Sequence, residues 1–175
     1  PIHAISMTTT PTTDVALHTD MMQLLVFSLA GEEYALHLTD IREIVKALEV
    51  TPVPNMPTSV VGVANLRGTV VTILDLAQLL QLESTAEGQQ HIIVAEHNNE
   101  LFGLLVDSAT EVLRAPSEHC KETPDLLKHH PCADHVQGVI VFEADIDARM
   151  IMLLDTSKLL SDVNTVSADQ AQPTP

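Results

Sequence analysis

Basic residues are scarce. Eight Lys and Arg stand against 24 Asp and Glu, a formal net charge of −16 over 175 residues. A chain without a lysine- and arginine-rich footprint cannot displace the counterions of a phosphate backbone, which excludes nucleic acid as a partner. The same deficit argues against an anionic membrane surface, whereas a protein with basic patches fits the charge. Aromatic side chains are nearly as rare, at 2% with no Trp, so little is available to stack on bases or sugars. Cysteine occurs twice, too seldom for a disulfide framework. No apolar run reaches the roughly eighteen residues of a membrane helix, and Pro1 to Asp14 lack the basic start and apolar stretch of a signal peptide. Direct membrane insertion is not expected, and the cytoplasm is the expected compartment.

What the chain does hold is 45% hydrophobic residues, enough for one domain or two small ones built from Val, Leu, Ile, Ala and Met. Residues 1–20, with Thr8-Thr9-Thr10-Pro11-Thr12-Thr13, and residues 163–175 have little to bury and read as disordered tails around a folded region of 21–162. Within it, Leu24 to Leu29 and Glu33 to Leu38 read as strands about a turn at Gly31-Glu32. Asp40 and Glu43 have capping-box spacing, and Ile41, Ile44, Val45 and Leu48 then recur at helical intervals, predicting a helix that Pro52, Pro54 and Pro57 end. Asp75 caps a short helix, Leu76 to Leu80, and Glu83 to Gln90 is a polar linker.

The second half repeats the first. Phe102-Gly103-Leu104-x-Val106 matches Tyr34-Ala35-Leu36-x-Leu38, and Glu111-Val112-Leu113-Arg114 matches Glu43-Ile44-Val45-Lys46, with Ser108 and Glu111 as a second capping box. Gln137-Gly138-Val139 echoes Val61-Gly62-Val63, and Leu153-Leu154-Asp155-x-x-x-Leu159-Leu160 echoes Ile73-Leu74-Asp75-x-x-x-Leu79-Leu80. Four matches in one order amount to an internal duplication. Short strands, tight turns and the absence of βαβ alternation predict a mainly β, pseudo-duplicated fold of two small barrels with short helices. The first would be mainly 22–82, the second mainly 91–160.

Between two apolar runs, Gly62 and Gly68 bracket a single charge, Arg67, in Val60 to Leu74. Two readings are open on these residues alone. The guanidinium either presents its fork of donors to a partner or snorkels and caps within the protein. Nothing in the other half corresponds to Asn65-Leu66-Arg67-Gly68, which favours a role particular to the first half.

Chemistry is sparse elsewhere. His119, Cys120, His129, His130, Cys132 and His135 gather the donors that zinc uses, so a small cytoplasmic metal-binding protein is the alternative reading. There is no C-x-x-C pair, however, and Pro116, Pro124 and Pro131 mark an exposed polar loop. A Cys-His nucleophile lacks a visible oriented base, and no glycine-rich phosphate loop follows a strand. No enzyme active site and no cofactor are expected. A binding module remains.

The residues that carry a family likeness are now in place. Phe27 to Leu36, Ile41 to Ile44, and Gly62-Val63-Ala64-Asn65-Leu66-Arg67-Gly68-x-Val70-x-x-Ile73-Leu74-Asp75-Leu76 resemble the CheW-like coupling proteins of bacterial chemosensory arrays. The likeness runs from about Leu24 to Leu160 and departs at Thr72, where the family commonly has proline. It implies two five-stranded SH3-like β-barrels and a non-enzymatic adaptor, recruited to membrane-associated receptor arrays. Such an adaptor bridges a chemoreceptor tip and the regulatory domain of a CheA-type histidine kinase, in flagellar chemotaxis or type IV pilus motility. It implies a receptor contact at Arg67, with Ile41, Glu43, Ile44, Ile92 and Ile93 at matching positions, while Gly62, Asn65, Leu66 and Gly68 form the motif around the arginine. The His- and Cys-bearing loop has no place in the family pattern.

Overall fold

The computed structural model describes residues 20–46, 48–83, 90–142, 149–161 and 163. The described residues form twelve strands: β1 (Met21–Leu29), β2 (Glu32–His37), β3 (Ile41–Val45), β4 (Val50–Thr51), β5 (Val60–Leu66), β6 (Thr69–Asp75), β7 (His91–His97), β8 (Glu100–Val106), β9 (Ser108–Pro116), β10 (Cys120–Lys121), β11 (Val136–Phe142) and β12 (Arg149–Leu154). Asp75 caps helix α1 (Leu76–Leu79), its Oδ1 accepting from the Gln78 N–H at 3.3 Å, and Asp155 does the same for the Lys158 N–H at 3.2 Å. The strands make two mixed sheets of six, ordered β4-β5-β6-β8-β7-β3 and β10-β11-β12-β2-β1-β9. The sixth member of each, beyond the five expected, is a two-residue edge strand, β4 or β10.

The duplication is therefore spatial as well as sequential. Both sheets have one order, and each contains one parallel contact, β6 with β8 and β12 with β2. Ile73 faces Gly103 in one and Leu153 faces Ala35 in the other, so even the register repeats. The repeat halves are not the sheets, however. The β1–β2 hairpin of the first half completes the sheet built by β9 to β12, and β7–β8 completes the sheet built by β3 to β6. The division at 22–82 and 91–160 follows the repeat, while the sheets exchange a hairpin across it.

Those exchanged hairpins are buried on both faces, which is why they read as continuous apolar runs. Along β7, Ile92 and Val94 enter a cluster enclosed by their own sheet with Ala64, Val71 and Ile73. Ile93 and Ala95 enter the larger central cluster between the sheets. Along β1, Leu24 and Val26 fill the corresponding cluster of the other sheet, and Leu25 and Phe27 join the central one. Phe27 stacks on Tyr34 there, ring centres 6.0 Å apart. At Gly103 a Cβ would stand 2.6 Å from Ile73 Cδ1 and 2.9 Å from Ile92 Cγ2, so the parallel contact is close and favours a small residue, as Ala35 is at the equivalent place.

Two expected helices are absent, which is a correction. Residues 40–48 and 108–113 were read from capping boxes and apolar spacing, but Ile41–Val45 and Ser108–Pro116 are strands. Each carries a β-bulge at the equivalent place: Ile41 and Glu43 face Ala95 and Val94, while Ala109 and Glu111 face Phe27 and Val26. One extra residue shifts the two-residue alternation by a step, which produces the i, i+3 spacing that mimics a helix. The β-branched Ile and Val then follow their preference for the pleated surface.

The expected tails lie almost wholly outside the described residues. Val163, the first residue of the expected C-terminal tail, is instead helical and 4% exposed within the central cluster. Removing two buried carbons at about 0.8 kcal/mol each, Val163→Ala is expected to lower stability by about 1.5 kcal/mol in urea unfolding with an unchanged slope.

Candidate functional site

Strands β5 and β6 meet in a two-residue turn, Arg67-Gly68, between the paired Leu66 and Thr69. Both turn residues have positive φ, 50° and 88°, the geometry that matches the twist of a hairpin. Asn65 Oδ1 accepts from the Gly68 N–H at 2.7 Å and holds the turn shut. Gly62 lies opposite β4, where a Cβ would run into the Thr51 carbonyl. Leu66 packs against the sheet's own cluster. The glycines and Asn65 thus support the tip on which Arg67 is carried.

The guanidinium of Arg67 is fork-paired with the Glu43 carboxylate: Nη1 donates to Oε2 at 2.9 Å and Nη2 donates to Oε1. Glu43 lies on β3, at the far end of the strand order from β5, so the pair spans the curl of the sheet. Arg67 remains 70% exposed at its side chain. Beside it Arg42 pairs with Glu96, and Arg42, Glu43, Arg67, Glu96, Asn99 and Leu101 line a concavity of about 430 Å³. A second concavity, of about 440 Å³, flanks the other side of the hairpin among Glu49, Thr51, Val63, Asn65 and Val70. Val70 is 67% exposed and Ile44 41% exposed. Ile41 is half-buried against the central cluster.

Of the expected contact residues, the structure brings Arg67 and Glu43 together, with Ile41 and Ile44 on the same strand as Glu43. Ile92 and Ile93 are different and require a correction. They are 3% and 0% exposed and belong to two separate cores, so they offer a partner no surface.

A second correction concerns the uniqueness of Arg67. The other sheet holds a guanidinium in the corresponding place. Arg149 Nη2 donates to Glu111, the repeat equivalent of Glu43, while its Nε and Nη2 donate to the two Glu33 oxygens at 3.0 and 2.6 Å. Arg149 is the register equivalent of Thr69, two residues past Arg67, so matching motif against motif hides it. The apolar exposure repeats too. Val112, equivalent to Ile44, is 56% exposed and Met150, equivalent to Val70, is 47% exposed. Each sheet carries an Arg–Glu pair and two exposed apolar residues at equivalent register positions, Ile44 and Val70 in one, Val112 and Met150 in the other. The repeat alignment that matched Glu43-Ile44 with Glu111-Val112 already contained the signal for the second.

The His- and Cys-bearing segment is largely the exposed loop expected of it, with Cys132 the exception. Short 3-10 turns at Ser117–His119, Asp125–His129 and Ala133–His135 fold it onto the sheet, and Cys132 is fully buried in the central cluster. Cys120 is half-buried and His119 packs edge-on against Phe142. Among the described residues no group of three His, Cys, Asp or Glu is placed to hold a metal ion, so the zinc reading is not favoured. No helix among them is long and apolar enough to cross a membrane.

Among the described residues, a duplicated two-sheet scaffold carries an Arg–Glu pair on each sheet. Residues 23–164 match the family model of the CheW-like domain, and the chain belongs to that family. It is 31% identical to a probable chemotaxis protein CheW of Rhizobium etli over 83% of this chain and 92% of the relative. It is 28% identical to chemotaxis protein CheW of Bacillus subtilis over 85% and 94%. The crystal structure of scaffolding protein TtCheW from Thermoanaerobacter tengcongensis superposes with a TM-score of 0.69 at 27% identity, over 80% of this chain and 92% of that one. The chain is a coupling adaptor of the chemotaxis type, and scaffolding relatives are consistent with a non-enzymatic role.

The Arg149 cluster has a signature in acid. Hydrogen bonding from Arg149 holds the Glu33 carboxyl below its ordinary value of 4.5. A carboxylate with a depressed folded pKa stabilises the fold above the unfolded value and loses that contribution as pH falls through the folded one. Arg149→Gln is therefore expected to cost about 1 kcal/mol at neutral pH and low salt. The gap from the unmodified protein should narrow below pH 4.5 and on adding salt, as read by urea midpoints along a pH series.

Proposed function

We propose that the protein couples a chemoreceptor to a CheA-type histidine kinase, one partner on each of the two faces, at membrane-associated receptor arrays of a flagellar or pilus motility system. The observation that carries this reading is the paired faces. The Arg67 face, with Glu43, Ile41, Ile44 and Val70, suits the helical hairpin of a receptor tip, an apolar helix laid beside a fixing charge. The face with Val112, Met150 and Arg149 suits the kinase's regulatory domain.

Magnitudes support a binding role for Arg67. A non-glycine residue at positive φ costs roughly 1–2 kcal/mol, while an exposed ion pair contributes about 0.2–1 kcal/mol. Glycine at position 67 would serve the turn better, so the arginine is explained by something outside the fold.

The test uses purified receptor and kinase fragments against the full chain. Arg67→Gly, which relieves the turn, is expected to weaken receptor binding at least tenfold while kinase binding and melting temperature hold. Val112→Asp is expected to do the reverse. Absence of binding to either fragment at micromolar concentration rejects the coupling role, and equal loss of both partners in each variant rejects the two-face assignment.

A further inference from the structure

Behind the second face lies a buried group of soft donors that the adaptor role does not use. Cys132 Sγ stands 2.9 Å from His130 Nδ1 and 4.0 Å from Met152 Sδ. The other imidazole nitrogen, Nε2, faces Glu32 Oε2 at 3.3 Å, and that same oxygen accepts from the Tyr34 hydroxyl at 2.8 Å. Nδ1 faces both the thiol and the Cys132 backbone N–H, which donates to it at 3.3 Å, while the ring is held from behind by a carboxylate, itself held by a phenol. A carboxylate behind a ligating imidazole is the arrangement that metal sites use to fix the ring and raise its basicity.

We propose that Cys132, His130 and Met152 form a binding site for a soft monovalent cation, Cu(I). Three arguments choose this ion. Thiolate, thioether and imidazole together are soft ligands, which favour Cu(I) over the hard cations. The thioether decides against Zn²⁺, which takes thiolate, imidazole and carboxylate oxygen; the ion replaces the thiol proton, which leaves to water.

Geometry agrees with the ligand argument. Metal–sulfur bonds of about 2.3 Å opened to three-fold geometry set two sulfurs about 4.0 Å apart, the spacing that Cys132 and Met152 already have. The thiol contact to His130 must widen by somewhat less than about 1 Å to admit the ion. An entry route exists. A concavity of about 270 Å³, lined by Gly31, Glu32, Glu33, Leu127, Met150 and Met152, reaches both Met152 and Glu32 from the surface. Two carboxylates and the 47% exposed Met150 thioether stand along it.

The experiment titrates the reduced full chain with Cu(I) held by a coloured bicinchoninate competitor under anaerobic conditions. One equivalent is expected to transfer to the protein and to raise its melting temperature. Cys132→Ser abolishes the transfer, Glu32→Gln weakens it about tenfold, and Cys120→Ser leaves it unchanged. Because Cys132 is buried, Met152→Leu provides a near-isosteric variant that keeps the fold; it is expected to lose at least tenfold in affinity with its circular dichroism intact. No transfer overturns the proposal. So does transfer retained in Cys132→Ser, transfer lost in Cys120→Ser, or full affinity in a folded Met152→Leu protein.

Discussion

Everything in this fold depends on two parallel strand contacts, β6 against β8 and β12 against β2. At each, a hairpin from one half of the chain is inserted beside strands of the other half. A strand so placed has sheet on both edges and core on both faces. It must therefore be apolar throughout, which Ile92 to Ala95 and Leu24 to Phe27 are. The central cluster between the sheets gathers the residues that alternate away from each sheet's own core, and it also receives the closing helical segments through Leu76, Leu80, Leu159 and Leu160. Gly103 and Ala35 are small because that contact is close. The positions of Arg67, Glu43, Arg149 and Glu111 are set by what this packing leaves at the rims.

Much of this was legible in the residues. Alternation located the hairpins, the echo of Ile73-Leu74-Asp75 in Leu153-Leu154-Asp155 revealed the duplication, and the capping role of Asp75 followed from its place before an apolar turn. The bulged strands were not legible, because one inserted residue at Arg42 or Thr110 converts a two-residue period into a helical one, and the capping-box acids reinforced the misreading. Nor was the burial of Cys132. A segment broken by prolines looks like loop, and only the fold shows that three short 3-10 turns press it against Met152 and Tyr34. The exchange of hairpins leaves no local trace, since pairing partners separated by half the chain are invisible to periodicity.

The two faces differ in a way that bears on their use. On the first, a single carboxylate meets Arg67 at a tight hairpin tip, and most of the guanidinium remains open to water. On the second, Glu33 and Glu111 clamp Arg149 between them, and strong hydrogen bonds keep its guanidinium charged and occupied. Each guanidinium is paired within the protein, Arg67 with one carboxylate and Arg149 with two, and Arg67 keeps the larger share of its surface in water. Similar scaffolds thus hold one guanidinium largely in water and one enclosed by two carboxylates.

The exchanged hairpins have a consequence for how such a chain could arise. A single half, synthesised alone, would hold a hairpin with no sheet to join and a four-stranded sheet with a gap. Two identical copies would each supply what the other lacks, closing into a symmetric pair by strand exchange. In the present chain the two halves are covalently joined, so each supplies the other's missing hairpin within one molecule. One half carries an arginine at its hairpin tip, the other the segment that shelters a thiol.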